Sequence, residues 1–394
     1  MSPPIATLDE LEGPRLIRRE ELVAANRMEW LRFDGAIRLA DSAALLAGYR
    51  EARRGGPYVL AHSGVPVSQV KLFHSRVRIH GSLLRTASIG DVCTHPDYQG
   101  VGAATRLLHH GFAQLRREGA RLVVISGERG LYTRLGCTPA GRYAQAMLQP
   151  GMLGPAPRPV SSRPSMASDA GLFARLYATE PVGFQRSVEY IAGHLGNPRV
   201  YWHAENWVIE AAGKPVGYLL LGVPWEYRQD PSVGIRELME YAGDRTAIAA
   251  ALGEVFAHNI GQLRLVIPWQ DADLIVLLEE MGVHFDYSTL PDHTMRIIDL
   301  PGLMADLRAY AAARLPRVLR RGLRFEQAGS LLGSEGDDRY VIARGDERLE
   351  MDGAAMTRLV LGDSAKPASL PGVVGEAASL LFPLPSFLPG INFR

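Results

Sequence analysis

The chain has 394 residues, a length that predicts about two or three domains. Its 43 basic and 42 acidic side chains nearly balance, which argues against nucleic acid or an anionic membrane surface as a partner. Its apolar stretches are too short to cross a bilayer, its first residues lack a signal-peptide pattern, and its two cysteines exclude a disulfide framework or a cysteine-rich zinc site. The expected class is a cytoplasmic enzyme.

The N-terminal part predicts a lead-in, two helical segments and two β-hairpins. Residues 1–14 carry no periodic pattern, whereas 17–32 begin like a strand and continue with helical spacing, and 43–53 also have helical spacing. Turn signals at Ser63-Gly64 and at Gly81 then separate strand-like runs. The predicted strands are 57–62, 65–73, 77–79 and 83–94.

The most informative stretch runs from the last of these strands into a helix. Pro96 cannot donate to a β-ladder, so the strand ends near Thr94. Residues 99–104 read Gln-Gly-Val-Gly-Ala-Ala, and the glycines allow successive backbone N–H groups to converge on an anion. The N-terminus of the following helix adds partial positive charge. This pattern predicts a pyrophosphate site.

An apolar stripe with helical spacing predicts the helix after this loop. Its members are Leu107, Leu108, Phe112 and Leu115. A buried strand, a short helix and a returning strand are then predicted over 122–126, 128–135 and 142–148. Residues 151–165 are rich in Pro, Gly and Ser and predict a linker, so the first domain is expected to span 15–150.

Residues 166–299 repeat the same plan of elements. The predicted elements are helices over 172–177 and 188–195, a hairpin over 207–210 and 216–221, a strand over 235–241, a helix over 246–258 and a strand over 263–267. The glycine-rich loop is missing, because Ala242-Gly243-Asp244-Arg245 is shorter and Asp244 suits a helix N-cap. We expect this second domain to pack against the first and to hold no cofactor.

Residues 300–394 predict a third, α+β domain. Its expected elements are helices over 304–314, 352–360 and 373–381 and strands over 323–327, 340–344 and 348–351. The last residues, 382–394, form an extended apolar tail. Six apolar side chains argue that this tail is tied down, although chain ends are usually frayed.

The loop resembles a known signature. Gln99-x-x-Gly102-x-Ala104 is similar to the Q/R-x-x-G-x-G/A motif of the GNAT superfamily of acyl-CoA N-acyltransferases. The motif follows a predicted strand and opens a helix, as it does in that superfamily. The alternative is a glycine-rich turn of a doubly wound sheet, but the dinucleotide pattern G-x-G-x-x-G is absent.

The whole chain, from about residue 15 onwards, resembles the bacterial enhanced-intracellular-survival acetyltransferases. The segment 128–136, Glu-Arg-Gly-Leu-Tyr-Thr-Arg-Leu-Gly, is similar to the E-G-G-I-Y-G-R-F-G segment of that family. The resemblance implies a mixed α/β and α+β fold: two tandem GNAT folds, the second degenerate, and a sterol-carrier-protein-like third domain. It also implies a homo-oligomer, a hexamer.

The resemblance further implies where acetyl-CoA binds and which groups act. The implied cofactor-binding residues are Val92, Cys93, Thr94, Gln99, Gly100, Val101, Gly102, Ala103, Ala104, Thr105, Gly127 and Glu128. The implied general acid is Tyr132, and the implied base is the carboxylate of the chain end, Arg394. This loop lacks the family's frequent arginines, so its backbone must bind more of the anion. The family's tail often ends on an aromatic residue, whereas here Arg394 follows Phe393.

Other residues near the motif have competing interpretations. Asp91 is the rival base, since strand alternation places it with Ile89 and Cys93 on one face, but it also suits a turn or bulge. Tyr132 could equally be a core aromatic, and Glu128 a cap. Cys93 as an acylated nucleophile is disfavoured, and adjacent His109 and His110 do not share a helix face, so no metal site is expected.

The leading hypothesis is an acetyl-CoA-dependent N-acetyltransferase acting on a small or peptidic primary amine, such as a polyamine, lysine or aminoglycoside. A phenol near the thioester sulfur can protonate the leaving thiolate, and a carboxylate can accept the proton of the amine. A non-enzymatic acyl-CoA sensor or scaffold is the alternative. Lipid carriage by residues 301–394 is a third possibility.

Overall fold

The computed structural model describes residues 6–32, 57–195, 205–227, 230–258, 260–329, 338–364 and 370–392. The helix predicted over 43–53 and the chain end at Arg394 lie outside these residues. The strands are β1 (Glu12–Leu16), β2 (Tyr58–His62), β3 (Val65–Ile79), β4 (Ser82–Thr94), β5 (Leu122–Ser126), β6 (Tyr143–Leu148), β7 (Ser161–Pro164), β8 (Val182–Phe184), β9 (Glu205–Ala211), β10 (Lys214–Gly222), β11 (Ile235–Gly243), β12 (Gln262–Pro268), β13 (Asp286–Ser288), β14 (His293–Ile297), β15 (Leu323–Ala328), β16 (Arg339–Arg344) and β17 (Glu347–Asp352).

Helices cover the sheets that these strands form. They are α1 (Leu22–Arg32), α2 (Ala103–Arg117), α3 (Gly130–Thr133), α4 (Ala170–Thr179), α5 (Val188–Leu195), α6 (Arg245–Glu254), α7 (Ala272–Glu280), α8 (Leu300–Asp306), α9 (Arg308–Arg314), α10 (Arg317–Arg320), α11 (Gly353–Leu361) and α12 (Gly372–Leu381). Among the described residues, none of these helices is long and apolar enough to cross a membrane.

Two seven-stranded sheets share one pattern of strand directions. The first has the order β1-β2-β3-β4-β5-β14, with β8 beside β3, and the second has the order β7-β9-β10-β11-β12-β6-β13. In each, an antiparallel run ends in one parallel pair, β4 with β5 and β11 with β12. An antiparallel strand then follows the parallel pair.

The two sheets exchange strands, which sequence reasoning missed. The strand predicted over 142–148 as the return of the first domain is β6, and it pairs with β12 of the second sheet. Its place beside β5 is taken by β14. Alternation predicts that a segment is a strand but not its neighbour, because both edges offer equivalent backbone groups. Both sheets therefore cross the predicted boundary at residue 150.

The lead-in and the linker are also more ordered than predicted. β1 pairs with β2, and Ala6 and Leu11 are buried in the core of the first sheet. Arg106 holds this segment by donating to the carbonyl oxygens of Leu8 and Gly13. Within the predicted linker, β7 pairs with β9. A short edge strand needs no strong apolar alternation, so composition alone gave no sign of either strand.

The third part of the chain forms a small sheet, β15-β16-β17, with α8 to α12 around it. Asp352 caps α11 by accepting from the amide of Ala355 at 2.7 Å, as its position predicts. One continuous apolar core joins this part to both large sheets and to the tail. Its members include Val77, Tyr218, Tyr340 and Phe387.

Candidate acyl-CoA and acceptor site

β4 carries a bulge close to its end. The register of β4 against β3 shifts beside Asp91, whose φ of 51° is left-handed. An extra residue of this kind reverses the alternation of the side chains that follow it. Val92 therefore packs in the same core as Ile89. Unbroken alternation along this strand, with Asp91 and Cys93 on the face of Ile89, was a wrong prediction.

β4 and β5 separate at this bulge. Their parallel pairing ends at Ile89 and Ile125, yet β4 continues to Thr94. No described strand pairs with 90–94 on the β5 side. A strand edge of this kind can hydrogen-bond an extended chain that contains amides, such as a pantetheine arm. The edge coincides with Val92, Cys93 and Thr94, the residues predicted to meet that arm.

The glycine-rich loop offers a run of backbone donors. Among the described residues, the amides of six successive positions have no acceptor: Gly100, Val101, Gly102, Ala103, Ala104 and Thr105. The amides on either side are occupied, that of Gln99 by the Pro96 carbonyl oxygen at 3.2 Å and that of Arg106 by the Gly102 carbonyl oxygen at 3.0 Å. Convergent amides at a helix N-terminus bind anions.

The two glycines of this loop are needed for its backbone conformation. Gly100 and Gly102 have φ values of 85° and 88°, which side chains rarely adopt. A Cβ at Gly100 would meet nothing within 4 Å, and one at Gly102 would meet only Leu8, at 3.8 Å. The Gln99 side chain turns back to the carbonyl oxygen of Thr94 at 3.4 Å. An anion here would therefore be held mainly by backbone groups, as the sequence predicts.

Tyr132 lies just beyond β5, on the short helix α3. It is 3% exposed, and a Cβ built on Gly127 would lie 3.6 Å from its ring. The backbone of Gly127 is pinned on both sides, since its N–H donates to the Asp292 carbonyl oxygen and its carbonyl oxygen accepts from Thr294 Oγ1. Glu128 follows Gly127 at the surface. Partial loss of hydration, and then the nearby Asp292 carboxylate, raise the pKa of Glu128. The contacts of Gly127 and Glu128 with the cofactor stay predictions.

Asp91 is engaged by an ion-pair network. Its Oδ2 lies 2.9 Å from Lys71 Nζ, which is also 2.5 Å from Glu29 Oε1 on α1. Gln69 donates to the same Glu29 carboxylate. Burial would lower the pKa of Lys71, but the two carboxylates hold it above its usual value. An acceptor ammonium would have to compete with Lys71 for Asp91, which weakens the case for Asp91 as the base.

A cavity opens on the sheet face opposite α2, between the first sheet and the C-terminal tail. Together with its part open to solvent, it comprises about 400 Å³. Its polar lining comprises Ser75, Thr86, Ser88, Ser126, His293 and Asn392. Thr86 is 3% exposed, and its hydroxyl finds no hydrogen-bond partner within the described part of the chain. Because a buried unpaired hydroxyl is costly, this one points to a polar ligand group. We call this space the acceptor cavity.

A second cavity, of about 570 Å³ with its part open to solvent, adjoins the acceptor cavity, since His293 and Pro389 line both. It also contains two carboxyl groups, Glu237 and Asp292. Burial raises the pKa of Glu237 to about 7, although Arg264 opposes the rise. Burial also raises the pKa of Asp292. A positively charged ammonium that entered this cavity would lower the raised pKa values of both carboxyl groups and favour their anions.

His293 stands between the two cavities as a neutral imidazole. It is 7% exposed, its Nδ1 lies 2.6 Å from the Pro291 carbonyl oxygen, and burial lowers its pKa from 6.5 to about 4. The pKa of His293 is lower in the folded protein than in the unfolded chain. Its contribution to the free energy of unfolding is therefore complete above pH 6.5 and is lost as the pH falls towards 4. The loss amounts to about 3 kcal/mol.

We therefore expect His293→Gln to flatten the decline in unfolding free energy between pH 6.5 and 4. Urea unfolding at a series of pH values measures this slope. The matched control is His284→Gln, because His284 is exposed and should leave the slope unchanged. Equal slopes for the wild type and His293→Gln would contradict the prediction.

The corresponding loop of the second sheet offers no such donors. The amide of Gly243 donates to Glu180 at 3.0 Å and that of Asp244 to the Val216 carbonyl oxygen at 3.0 Å. Asp244 caps α6 by accepting from the amides of Thr246 and Ala247 at 2.9 and 3.0 Å. The predicted N-cap is confirmed, and the amides that an anion would need are occupied.

Other candidate groups do not form a site. Cys93 is buried, with only 2% of its surface exposed. Burial also lowers the pKa values of His109 and His110. Among the described residues, no group of three or more His, Cys, Asp or Glu side chains could hold a metal ion. The chain end, Arg394, lies outside the described residues, but the tail leading to it is described through Asn392 and lines the acceptor cavity.

Comparison with known proteins agrees with this geometry. Residues 48–140 match the acetyltransferase (GNAT) domain family, a span that contains β2 to β5 and the glycine-rich loop. This part of the chain is thus similar to GNAT acetyltransferase domains. No curated protein matches the chain.

Solved structures resemble the chain over most of its length. A GCN5-related N-acetyltransferase from Kribbella flavida has a TM-score of 0.61 at 15% identity, covering 97% of this chain and 99% of that one. Eis1 from Mycobacterium abscessus has a TM-score of 0.58 at 17% identity, covering 93% and 96%. A GCN5-related N-acetyltransferase from Anabaena variabilis has a TM-score of 0.57 at 15% identity, covering 87% and 88%. The chain shares their mixed α/β fold.

Proposed function

We propose that this chain, a GNAT-type acyl-CoA N-acyltransferase, moves the acetyl group of acetyl-CoA directly onto a primary amine. The observation that carries the proposal is the run of six unoccupied amides at 100–105, at the N-terminus of α2 and beside the gap between β4 and β5. The loop suits the pyrophosphate, and the strand edge suits the pantetheine arm. Together they lead the thioester towards the acceptor cavity.

In the proposed reaction, the neutral amine attacks the thioester carbonyl carbon, a C–N bond forms and the C–S bond breaks. Tyr132 donates its phenolic proton to the departing thiolate. The α-carboxylate of Arg394 accepts the proton that the amine loses, and Asp91 remains the rival base. The tail along the acceptor cavity supports the role of the chain end, and Tyr132 lies beside Gly127 just beyond β5, within the core of the first sheet.

The acceptor cavity and its neighbour suit an amine that carries polar substituents. Hydroxyl groups line the first cavity, and the carboxyl groups of Glu237 and Asp292 line the second. A small-molecule amine, a lysine side chain or an aminoglycoside-like compound fits this chemistry. Neither cavity requires a metal, and no nucleic acid or membrane partner is proposed.

The proposal is tested with acetyl-CoA and a panel of amines: spermidine, a lysine peptide with an acetylated N-terminus and a free side-chain amine, and the aminoglycoside neamine. Titration calorimetry should show that acetyl-CoA binds, and a thiol-release assay should show turnover with at least one amine. Binding without thiol release from any amine would favour the acyl-CoA sensor instead. Absence of acetyl-CoA binding would overturn both.

The remaining features are proposals drawn from the family resemblance. The shared strand pattern supports a second, degenerate GNAT fold over 166–299, and the small sheet with its helices supports a sterol-carrier-like domain over 300–394. A hexameric assembly and a cytoplasmic location complete the proposal.

A further inference from the structure

The second sheet holds the C-terminal tail at the point that corresponds to the gap between β4 and β5 in the first sheet. The parallel pairing of β11 with β12 ends at Glu237 and Arg264, and β11 has its own bulge just beyond. There, Leu388, Pro389 and Gly390 of the tail line a cavity together with residues of β11 and β12. The second sheet thus splits as the first does, but the chain's own tail lies against the split.

A buried ion pair lies beneath this part of the tail. Arg186 donates to both oxygens of Glu240 at 2.8 Å, and each side chain is only 3% exposed. Tyr218 also donates to Glu240, at 2.7 Å. Burial would lower the pKa of Arg186, but the Glu240 carboxylate holds that pKa above its usual value, so Arg186 stays charged.

The pair bonds the last described residues of the tail directly. Glu240 Oε2 accepts from the amide of Ile391 at 3.2 Å, and Arg186 Nε donates to Asn392 Oδ1 at 2.5 Å. Tyr190 adds a bond from its hydroxyl to the Ile391 carbonyl oxygen at 3.1 Å. Three hydrogen bonds thus hold Ile391 and Asn392 against the ion pair and Tyr190.

Gly390 shows how closely the tail fits this pair. Its φ is 50°, and a Cβ on it would overlap the Glu240 carboxylate. Asn392, two residues further, lines the acceptor cavity.

We propose that Arg186 and Glu240 are positioning residues for the acetyl transfer: they fix Ile391 and Asn392, so that the tail stays along the acceptor cavity. The second domain then contributes to the reaction of the first without holding a cofactor. This inference rests on the proposed role of the Arg394 carboxylate as base.

The test compares Glu240→Gln with Glu180→Gln. Glu180 is a close match, since it also bonds one arginine through both oxygens, Arg245 at 2.9 and 2.5 Å, and accepts from a backbone amide, that of Gly243. We expect Glu240→Gln to speed hydrogen exchange in the peptide containing Gly390–Asn392 and to lower kcat by about tenfold to a hundredfold. Its Kd for acetyl-CoA should stay within about twofold, because the loop at 100–105 is untouched. Glu180→Gln should change none of the three.

Gly390→Ala provides a second variant from the tail side, in case the charge change in Glu240→Gln impairs folding. It should reproduce the loss in kcat while leaving the ion pair chemically intact. Equal kcat values for the wild type, Glu240→Gln and Gly390→Ala would overturn the inference. So would an equal loss in Glu180→Gln.

Deleting residues 393 and 394 separates this inference from the proposed function. If the deletion lowers kcat and Glu240→Gln then has no further effect, both are supported. If the deletion leaves kcat unchanged, the chain-end base is wrong. If the deletion lowers kcat but Glu240→Gln does not, the positioning role alone fails.

Discussion

Replacing Tyr132 by phenylalanine should lower kcat for acetyl transfer by about a hundredfold or more, the usual contribution of a positioned general acid. The substitution removes one hydroxyl from a side chain that is 3% exposed and packs beside Gly127. Phenylalanine fills the same space, so the loop, the split strands and the affinity for acetyl-CoA should persist. Stopped-flow thiol release at saturating substrates, with calorimetric binding of acetyl-CoA, measures both quantities.

Tyr241→Phe is the matched control for this experiment. Tyr241 is also buried, and its hydroxyl donates to Asp271 Oδ2 at 2.7 Å in the second domain, so the variant loses a buried hydroxyl away from the acceptor cavity. It should lose about 1 kcal/mol of stability and keep its kcat. If Tyr132→Phe retained kcat within about threefold, or lost acetyl-CoA affinity in proportion to kcat, Tyr132 would be a packing residue and not the acid.

The backbone of the glycine-rich loop could be predicted from the sequence, because its determinants are local. Pro96, Gly100 and Gly102 fix a strand end, a turn and a helix start within a few residues, and each follows from backbone conformation alone. The same holds for Asp244, whose cap occupies the loop amides of the second domain. Short-range chemistry of this kind can be read without knowing which segments meet.

The acceptor side could not be predicted, because it is assembled from segments far apart in the chain. Thr86 and Asn392 line one cavity although about 300 residues separate them, and His293 reaches it only because β14 replaces β6 in the first sheet. Arg186 and Glu240 belong to an ordinary loop and strand in the sequence, and no motif marks them. The sequence allowed a bulge at Asp91. It could not show which sheet face Val92 lies on, because that depends on the pairing of β4 with β3.

Gly100→Ala and Gly102→Ala should each weaken acetyl-CoA binding by about tenfold, or 1.4 kcal/mol. Both glycines have a left-handed φ and open space at the position of a Cβ, so alanine introduces backbone strain of about 1–2 kcal/mol without a clash. Relief of that strain turns the peptide groups, and the amides at 100–105 then no longer converge. The lost binding energy comes from backbone groups that face the pyrophosphate. Acetyl-pantetheine has no pyrophosphate, so it should bind the variants and the wild type equally.

Gly81→Ala distinguishes lost anion binding from general destabilisation. Gly81 has a φ of 83° and nothing within 4 Å of its Cβ position, but it turns the hairpin between β3 and β4 and lies outside the loop. Its alanine variant should lose the same stability in urea and retain full affinity for acetyl-CoA in calorimetry. Equal losses of affinity at Gly81 and Gly102 would mean that the loop amides do not grip the cofactor. Unchanged affinity in both loop variants would also mean that the loop amides do not bind the pyrophosphate. The proposal that the thioester lies beside Tyr132 would then lose its physical basis.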